Sequence, residues 1–313
     1  MRNEPMKYKV FVDGSEGTTG LKINEQLALL NNIEILSIDI DKRKDINARK
    51  ELLNSADIAF LCLPDTASIE AVSLVENPKT VIIDASVAFR TNSNWAYGLP
   101  EISKQHKEKI MNSKRIAVPG CHATGFTTAV YPLIANGFID KDYPISCQSI
   151  TGYSGGGKSL IARFEDREDK TSLKSPQFYA LGLSHKHLPE MQIINGLTYK
   201  PLFTPIVGDF FRGMCVAIPL HKRLMKKNIS QKELLEFYKE YYQDQKNINV
   251  FSAENEQLLD NGFLDATKCN NTNNLDICVF SNDQHFLVIS RLDNLGKGAS
   301  GAAVQCMELA VRN

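Results

Sequence analysis

A cysteine in the stretch Ala117-Val118-Pro119-Gly120-Cys121-His122-Ala123-Thr124-Gly125 has the strongest claim to chemistry in this chain. Pro119 and Gly120 end an apolar run and force a sharp turn. The small residues that follow read as a helix, so Cys121 stands at or beside a helix N-terminus. Unpaired backbone N–H groups and the positive end of the helix dipole favour a thiolate there. Such a thiolate attacks a carbonyl carbon, and the same N–H groups receive the oxyanion that develops. A buried structural cysteine before a helix would leave the same local pattern.

Acid, base and anion-binding groups lie elsewhere. In Leu183-Ser184-His185-Lys186-His187-Leu188-Pro189-Glu190 the two histidines share a face if the segment is extended. No third ligand stands at a persuasive metal spacing. One imidazole therefore serves better as a general acid/base beside the thiolate, with Glu190 orienting the cluster. Arg90 and Arg212 are candidates for bidentate anion binding. Gly152-Tyr153-Ser154-Gly155-Gly156-Gly157-Lys158-Ser159 fits the phosphate-loop pattern of nucleoside triphosphatases, which would place Lys158 on the phosphates. No apolar strand ending in Asp follows it to hold magnesium. A flexible glycine loop around Ser154 and Gly155, holding a substrate near Cys121, uses these residues better.

The elements that must position these groups fall into two patterns. Lys7 to Asp13 reads as a strand, Gly14-Ser15-Glu16-Gly17-Thr18-Thr19-Gly20 as a glycine-rich turn, and the residues from Leu21 as a helix. That arrangement aims helix N–H groups at a pyrophosphate. Strands follow at 33–38, 58–63 and 81–84, separated by helices at 46–53 and 69–75, which predicts a Rossmann-like parallel sheet covered on both faces. The turns at Pro64-Asp65-Thr66 and Ala85-Ser86 then lie at its ligand-binding carboxyl edge. After strand two, Asp39 or Asp41 suits the ribose 2′-hydroxyl of NAD, whereas Lys42-Arg43-Lys44 suits the 2′-phosphate of NADP. Beyond Cys121, a helix over 124–136 leads to strands at 145–151, 200–206, 214–220, 276–280 and 286–292. One amphipathic helix, opened by a capping box of Ser230 and Glu233, interrupts them. This predicts an α+β domain with a largely antiparallel sheet, closed by a helix from Gly298 to Arg312.

Composition sets the bounds. The 313 residues suit two domains, and 36 basic residues balance 36 acidic ones, which removes any bulk electrostatic case for nucleic acid or membrane surfaces. Seven cysteines without a Cys-x-x-Cys pair argue against a disulfide framework and a structural zinc site. Without an apolar leader or spanning run the expected compartment is a reducing cytoplasm.

Taken together, several stretches resemble one family, N-acetyl-γ-glutamyl-phosphate reductase of arginine biosynthesis in its shorter form. They are Gly14 to Gly20; Asp84-Ala85-Ser86-Val87-Ala88-Phe89-Arg90; Tyr97-Gly98-Leu99-Pro100-Glu101; Val118 to Gly125; His185 to Glu190; and Asp293 to Gly301. The glycine turn is shared with aspartate-semialdehyde dehydrogenase. The resemblance implies NADP-dependent reduction of an acyl phosphate to an aldehyde, with NAD as the other dinucleotide. It implies Cys121 as nucleophile, His185 as acid/base, and Tyr179, His187 and Glu190 as supporting residues. Arg90 then becomes a phosphate or carboxylate contact, and Asn294 a neighbour of the nicotinamide. Gly14, Ser15, Gly17, Thr18, Thr19, Gly20, Arg43, Pro64 and Ser86 complete the expected cofactor set, with Arg90, Arg212, Ser154 and Gly155 on the substrate. The expected domains are 1–119, to which the helix at 297–313 returns, and 120–296, which carries catalysis and a homodimer or homotetramer interface. Aspartyl phosphate is the alternative substrate. A non-catalytic NAD(P)-binding protein and a triphosphatase are the other function classes.

Overall fold

The computed structural model describes residues 7–166, 173–252, 254–255 and 257–311. Its chain divides into two compact units, Met1–Pro119 with Ala299–Asn313, and Gly120–Gly298.

The first unit is built on β1 (Tyr8–Asp13), α1 (Thr18–Leu27), β2 (Ile33–Leu36), α2 (Ile46–Ser55), β3 (Ile58–Leu61), α3 (Asp65–Ser73) and β4 (Val81–Asp84). After these come β5 (Ala96–Tyr97), α4 (Lys104–Asn112) and β6 (Arg115–Ala117). The strands pair in parallel in the order β2-β1-β3-β4-β6-β5. Alternate residues of these apolar strands supply two separate cores, as a sheet covered on both faces requires. Val10, Val12, Phe60 and Ile83 pack with Ile23 and Leu27 of α1 on one side. Phe11, Ala59, Leu61 and Ile82 pack with Leu53 of α2 and Ala71 of α3 on the other. Two helices begin earlier than their apolar periodicity predicts. In α3, Pro64 serves as N-cap and Asp65 lies in the first turn, where acidic charge is favoured. In α1, Gly17 is the N-cap and the first turn consists of Thr18, Thr19 and Gly20.

The second unit begins with α5 (Cys121–Ala135) and continues through β7 (Ser146–Gly152), α6 (Gly157–Glu165), β8 (Gln177–Phe178), α7 (Leu188–Asn195) and β9 (Leu202–Gly208). It is completed by β10 (Met214–His221), α8 (Gln231–Tyr242), β11 (Ile248–Ser252), β12 (Leu275–Ser281) and β13 (His285–Leu292). The sheet order is β11-β12-β13-β10-β7-β9-β8. The β7–β10, β10–β13, β12–β13 and β8–β9 pairs are antiparallel. The β7–β9 and β11–β12 pairs run parallel. Where one interrupting helix was expected among these strands, two more are present: α6 and α7 lie between β7 and β9, because a parallel pair needs a crossover connection. The capping box of Ser230 and Glu233 is formed at the start of α8.

The 15-residue helix α5 is buried nearly all round and packs on β10, β13 and α7. From α8, the hydroxyls of Tyr238 and Tyr242 each donate to α5 carbonyls, Ala129 and Thr128, at 2.6 Å. The helix that begins at Cys121 is thereby fixed at its middle by hydrogen bonds as well as by packing. A π turn over Gly296–Ser300 leads into α9 (Gly301–Ala310), which contributes Ala302, Ala303 and Cys306 to the first unit's α1-side core. The expected extension of this helix to Arg312 lies outside the described residues.

Candidate active site

In the first unit the glycine turn leaves the carboxyl end of β1, beside β3. Gly14 has φ 84°, in the left-handed region. A Cβ on it would stand 2.4 Å from the carbonyl oxygen of Cys62, so the backbone passes too close for any side chain. Gly17 N–H donates to the Gly14 carbonyl at 3.1 Å and closes the turn. Ser15 lies within the turn, and Thr18, Thr19 and Gly20 form the first turn of α1 with their N–H groups leading the helix. Such a turn has the geometry that a pyrophosphate requires. Arg43 approaches the Glu16 carboxylate at 3.7 Å, which sets its guanidinium beside the same turn. Pro64 caps α3, and the Ser86 hydroxyl donates to Asp84 at 2.6 Å at the end of β4. The residues present fit a dinucleotide.

The turn also supports a prediction. In Gly14→Ala, backbone strain and the Cys62 contact should together cost roughly 1–3 kcal/mol. Urea unfolding should show a lower midpoint, and fluorescence titration should show weaker NADPH binding. An unchanged midpoint with unchanged affinity would remove the turn from the cofactor site.

Arg90 is buried, and its guanidinium donates from Nε to the Val118 carbonyl at 2.9 Å and from Nη2 to that of Ala85 at 3.1 Å. It therefore ties the end of β4 to the segment after β6, ahead of the cysteine turn.

In the second unit, Cys121 is the first residue of α5, with Gly120 as N-cap. By helix geometry the N–H groups of Cys121, His122 and Ala123 have no acceptor four residues back. Gly120 is gripped from two directions. Its N–H donates to both carboxylate oxygens of Glu190, at 3.1 and 3.3 Å. A Cβ on it would stand 2.2 Å from Nε2 of His187, so only glycine admits this imidazole. Both partners come from the start of α7, where Pro189 fills an opening position of the helix. The His187 N–H donates to Nδ1 of His185 at 3.1 Å, which leaves the His185 proton on Nε2 in the neutral ring. The rings of His122, Tyr179, His185, His187 and Phe203 gather here, with centroids 4.7–6.4 Å apart.

His122 was not singled out by its sequence position, yet it bridges this cluster. It is 3% exposed, with Nδ1 2.7 Å from Ser149 Oγ of β7 and Nε2 2.8 Å from Tyr179 Oη. Burial pushes its pKa down to about 3, with His185 and Lys186 adding positive charge nearby. The only signals available in the sequence were a histidine directly after the cysteine and a Cys-x-Ser-x-Thr alternation on β7. Because the unfolded ring titrates near 6.5 and the folded one near 3, the unfolded chain binds more protons between these values. Stability from this group is complete above about pH 6.5 and is lost as pH falls toward 3. His122→Gln should therefore flatten the acid limb of urea-measured stability by up to one proton, about 1.4 kcal/mol per pH unit. A limb of unchanged slope would refute the neutral assignment.

Other expected residues are held by their own unit. The Asn294 amide donates to Ser154 Oγ at 3.0 Å and accepts from Gly213 N–H at 2.8 Å. Gly155 passes close to the same amide. Arg212 pairs with Asp293 at 3.4 Å and hydrogen-bonds Asn271. The N–H groups of Gly152, Tyr153 and Ser154 donate to the carbonyls of Gly213, Phe210 and Phe211. These three bonds tie the first half of the segment to residues 210–213, so those N–H groups are not available to cradle a phosphate. Among the described residues no group of three or more His, Cys, Asp or Glu could hold a metal, and no helix is long and apolar enough to cross a membrane.

A parallel-sheet unit with a glycine turn fit for a dinucleotide, and an α+β unit whose first helix begins at a cysteine, define the semialdehyde dehydrogenase class. The family model for the semialdehyde dehydrogenase NAD binding domain matches residues 2–110, and that for the dimerisation domain matches residues 121–294. The fold is shared with aspartate semialdehyde dehydrogenase II from Vibrio cholerae, solved with ASA (TM-score 0.73, 16% identity, 98% of this chain and 99% of that one). It is also shared with aspartate semialdehyde dehydrogenase with NADP from Candida albicans (TM-score 0.67, 12% identity, 97% and 98%). A curated relative from Trichormus variabilis, named N-acetyl-gamma-glutamyl-phosphate reductase, is 46% identical over 310 residues, covering 97% of this chain and 96% of its own length. The chain belongs to the N-acetyl-γ-glutamyl-phosphate reductase family.

Proposed function

We propose that this chain reduces N-acetyl-L-glutamyl 5-phosphate to N-acetyl-L-glutamate 5-semialdehyde with release of phosphate, using NADPH and Cys121. The observation that carries the reading is the position of Cys121 at the start of α5, next to Gly120, which Glu190 and the His187 ring hold in place with Tyr179 and His185 in the same ring cluster, in a chain of this family. The Cys121 sulfur attacks the acyl carbon, the C–O bond to phosphate breaks, and inorganic phosphate leaves with the electron pair. N–H groups of the first turn of α5 hold the oxyanion in both tetrahedral stages. The reduced dinucleotide supplies the hydride that the thioester carbon accepts. In its imidazolium form His185 gives the Nε2 proton to the resulting hemithioacetal oxygen, becoming the neutral imidazole, and takes the proton back as the C–S bond breaks, returning the thiolate and the aldehyde. Gly14 to Gly20 hold the pyrophosphate, Arg43 the 2′-phosphate, and Pro64, Ser86 and Asn294 further parts of the dinucleotide. Arg90, Arg212, Ser154 and Gly155 are the substrate contacts, and the chain works as a homo-oligomer in the cytoplasm.

The test runs the reaction backwards, with phosphate and either NADP or NAD, on N-acetylglutamate semialdehyde and aspartate semialdehyde. Reduction of NADP with the N-acetylated aldehyde alone is the expected result. Turnover with aspartate semialdehyde alone would replace the substrate, and turnover with neither would end the enzymatic reading.

A further inference from the structure

We propose that Gly298 is a positioning residue: its bare α-carbon is the wall that seats the Cys121 side chain at the start of α5, and Asp293 holds that wall in place. The inference rests on Cys121 being the nucleophile.

A Cβ placed on Gly298 would stand 2.7 Å from the Cβ of Cys121 and 3.3 Å from its Cα. Neither atom is the free end of a side chain, so neither can swing aside as a long rotamer would. Backbone conformation does not demand glycine here, because the φ of Gly298 lies outside the left-handed region. What demands it is the space taken by the cysteine.

The wall is fixed from behind. Gly298 lies in the π turn Gly296–Ser300, and its N–H donates to the Asp293 carbonyl at 2.9 Å, the five-residue spacing of a π turn. The Asp293 carboxylate is fully buried. Its Oδ1 accepts from the Leu295 N–H at 2.9 Å, and its Oδ2 accepts from the Asn271 N–H at 2.8 Å and lies 3.4 Å from the Arg212 guanidinium. These bonds satisfy a group that would otherwise be costly to bury, and they tie the turn to the loop at 271. Two residues before Gly298, Gly296 abuts the Thr272 carbonyl so closely that a Cβ there would overlap it. The turn is therefore wedged between Thr272 and Cys121, with glycine at both contacts.

The helix has no room to retreat either. Gly120 lies against the His187 ring, and Gly125 against Val216 and Leu292. Tyr238 and Tyr242 hold the middle of α5 by hydrogen bonds. In a close-packed interior an added methyl displaces something, and what is left to move is the cysteine side chain. Its sulfur would leave the position where the first-turn N–H groups favour the thiolate and hold the oxyanion.

The experiment compares Gly298→Ala with Gly137→Ala in the full-length protein. Gly137 follows the far end of α5 at φ 67°, with open space where a Cβ would stand, so alanine there strains the backbone without touching the site. The urea midpoint, NADPH affinity, kcat and KM are measured, together with the pH dependence of Cys121 alkylation by iodoacetamide, read by peptide mass. Cys121 is partly exposed and open to the reagent. Both variants should lower the urea midpoint. Only Gly298→Ala should also lower kcat about 100-fold, the cost of displacing a reacting group by about 1 Å, with KM and NADPH affinity close to wild type. Its alkylation midpoint should rise by about one pH unit, equivalent to about tenfold slower reaction below it. Asp293→Asn, which turns an amide N–H toward a backbone N–H and weakens the Arg212 pair, should move kcat and the midpoint in the same directions. It carries the test if Gly298→Ala does not fold. Wild-type kcat and alkylation in Gly298→Ala, or equal losses in Gly137→Ala, would overturn the inference while leaving Cys121 as nucleophile. A wild-type Cys121 that alkylates no faster than glutathione would defeat the nucleophile reading itself, and this inference with it.

Discussion

Cys121→Ser is expected to abolish aldehyde formation, by a factor on the order of 10⁴ or more, while NADPH binding and the unfolding midpoint stay at wild-type values. A serine hydroxyl at the same helix position keeps the shape and the N–H groups of the first turn. It lacks an accessible anion near neutral pH, and the ester it would form accepts hydride less well than a thioester. The other cysteines make the chemical control clean. Cys62 is also partly exposed, but burial of its sulfur and the charges of Asp84 and Asp13 push its pKa up to about 12. Burial likewise holds Cys215, Cys269 and Cys278 at about 12, and Cys147 higher still. One equivalent of iodoacetamide should therefore be consumed rapidly at neutral pH, at residue 121, with parallel loss of activity. Full activity in the serine variant, or fast alkylation at Cys62 instead, would remove Cys121 from the reaction.

The first unit was legible because its physics is local. Four- to six-residue apolar strands, fully buried in β3 and β4 and half-buried at the β2 edge, a glycine turn after β1 and helices of ordinary length leave their record in consecutive residues. Cys121 was legible for the same reason: Pro119-Gly120 and the small residues after it announce a helix start without tertiary help. The second unit was harder. The crossover helices α6 and α7 carry mixed polarity, and the pairing of β7 with both β9 and β10 depends on contacts remote in sequence. Gly152 to Ser159 shows what a local pattern leaves out, because the residues that take the N–H groups of Gly152, Tyr153 and Ser154 come from 210–213. The His122 bridge was invisible in the sequence, since Ser149 and Tyr179 lie 27 and 57 positions away. Gly120 could be read as a turn former, but not as the one residue that admits the His187 ring.

His185→Asn is the second large effect, a loss of about 10²- to 10⁴-fold in aldehyde formation, the range for removing a general acid/base. Asparagine suits the test because its side-chain oxygen can sit near Nδ1 and keep the hydrogen bond from the His187 N–H, 3.1 Å long in the native turn. What is lost is Nε2, the atom assigned to the hemithioacetal proton. The first half of the reaction does not use that proton: the sulfur attacks, and phosphate departs as a good leaving group. A single-turnover experiment separates the halves. The variant should release one equivalent of phosphate at close to the wild-type rate without NADPH, and then form aldehyde slowly when NADPH is added. Its KM should change little, because binding of the acyl phosphate is untouched, and the kcat profile should lose the pH limb that belongs to the imidazole. If phosphate release slows as much as aldehyde formation, His185 acts on the sulfur rather than on the oxygen of the hemithioacetal. If neither step slows, the ring cluster around Cys121 only shapes the pocket, and proton transfer belongs to another of its members.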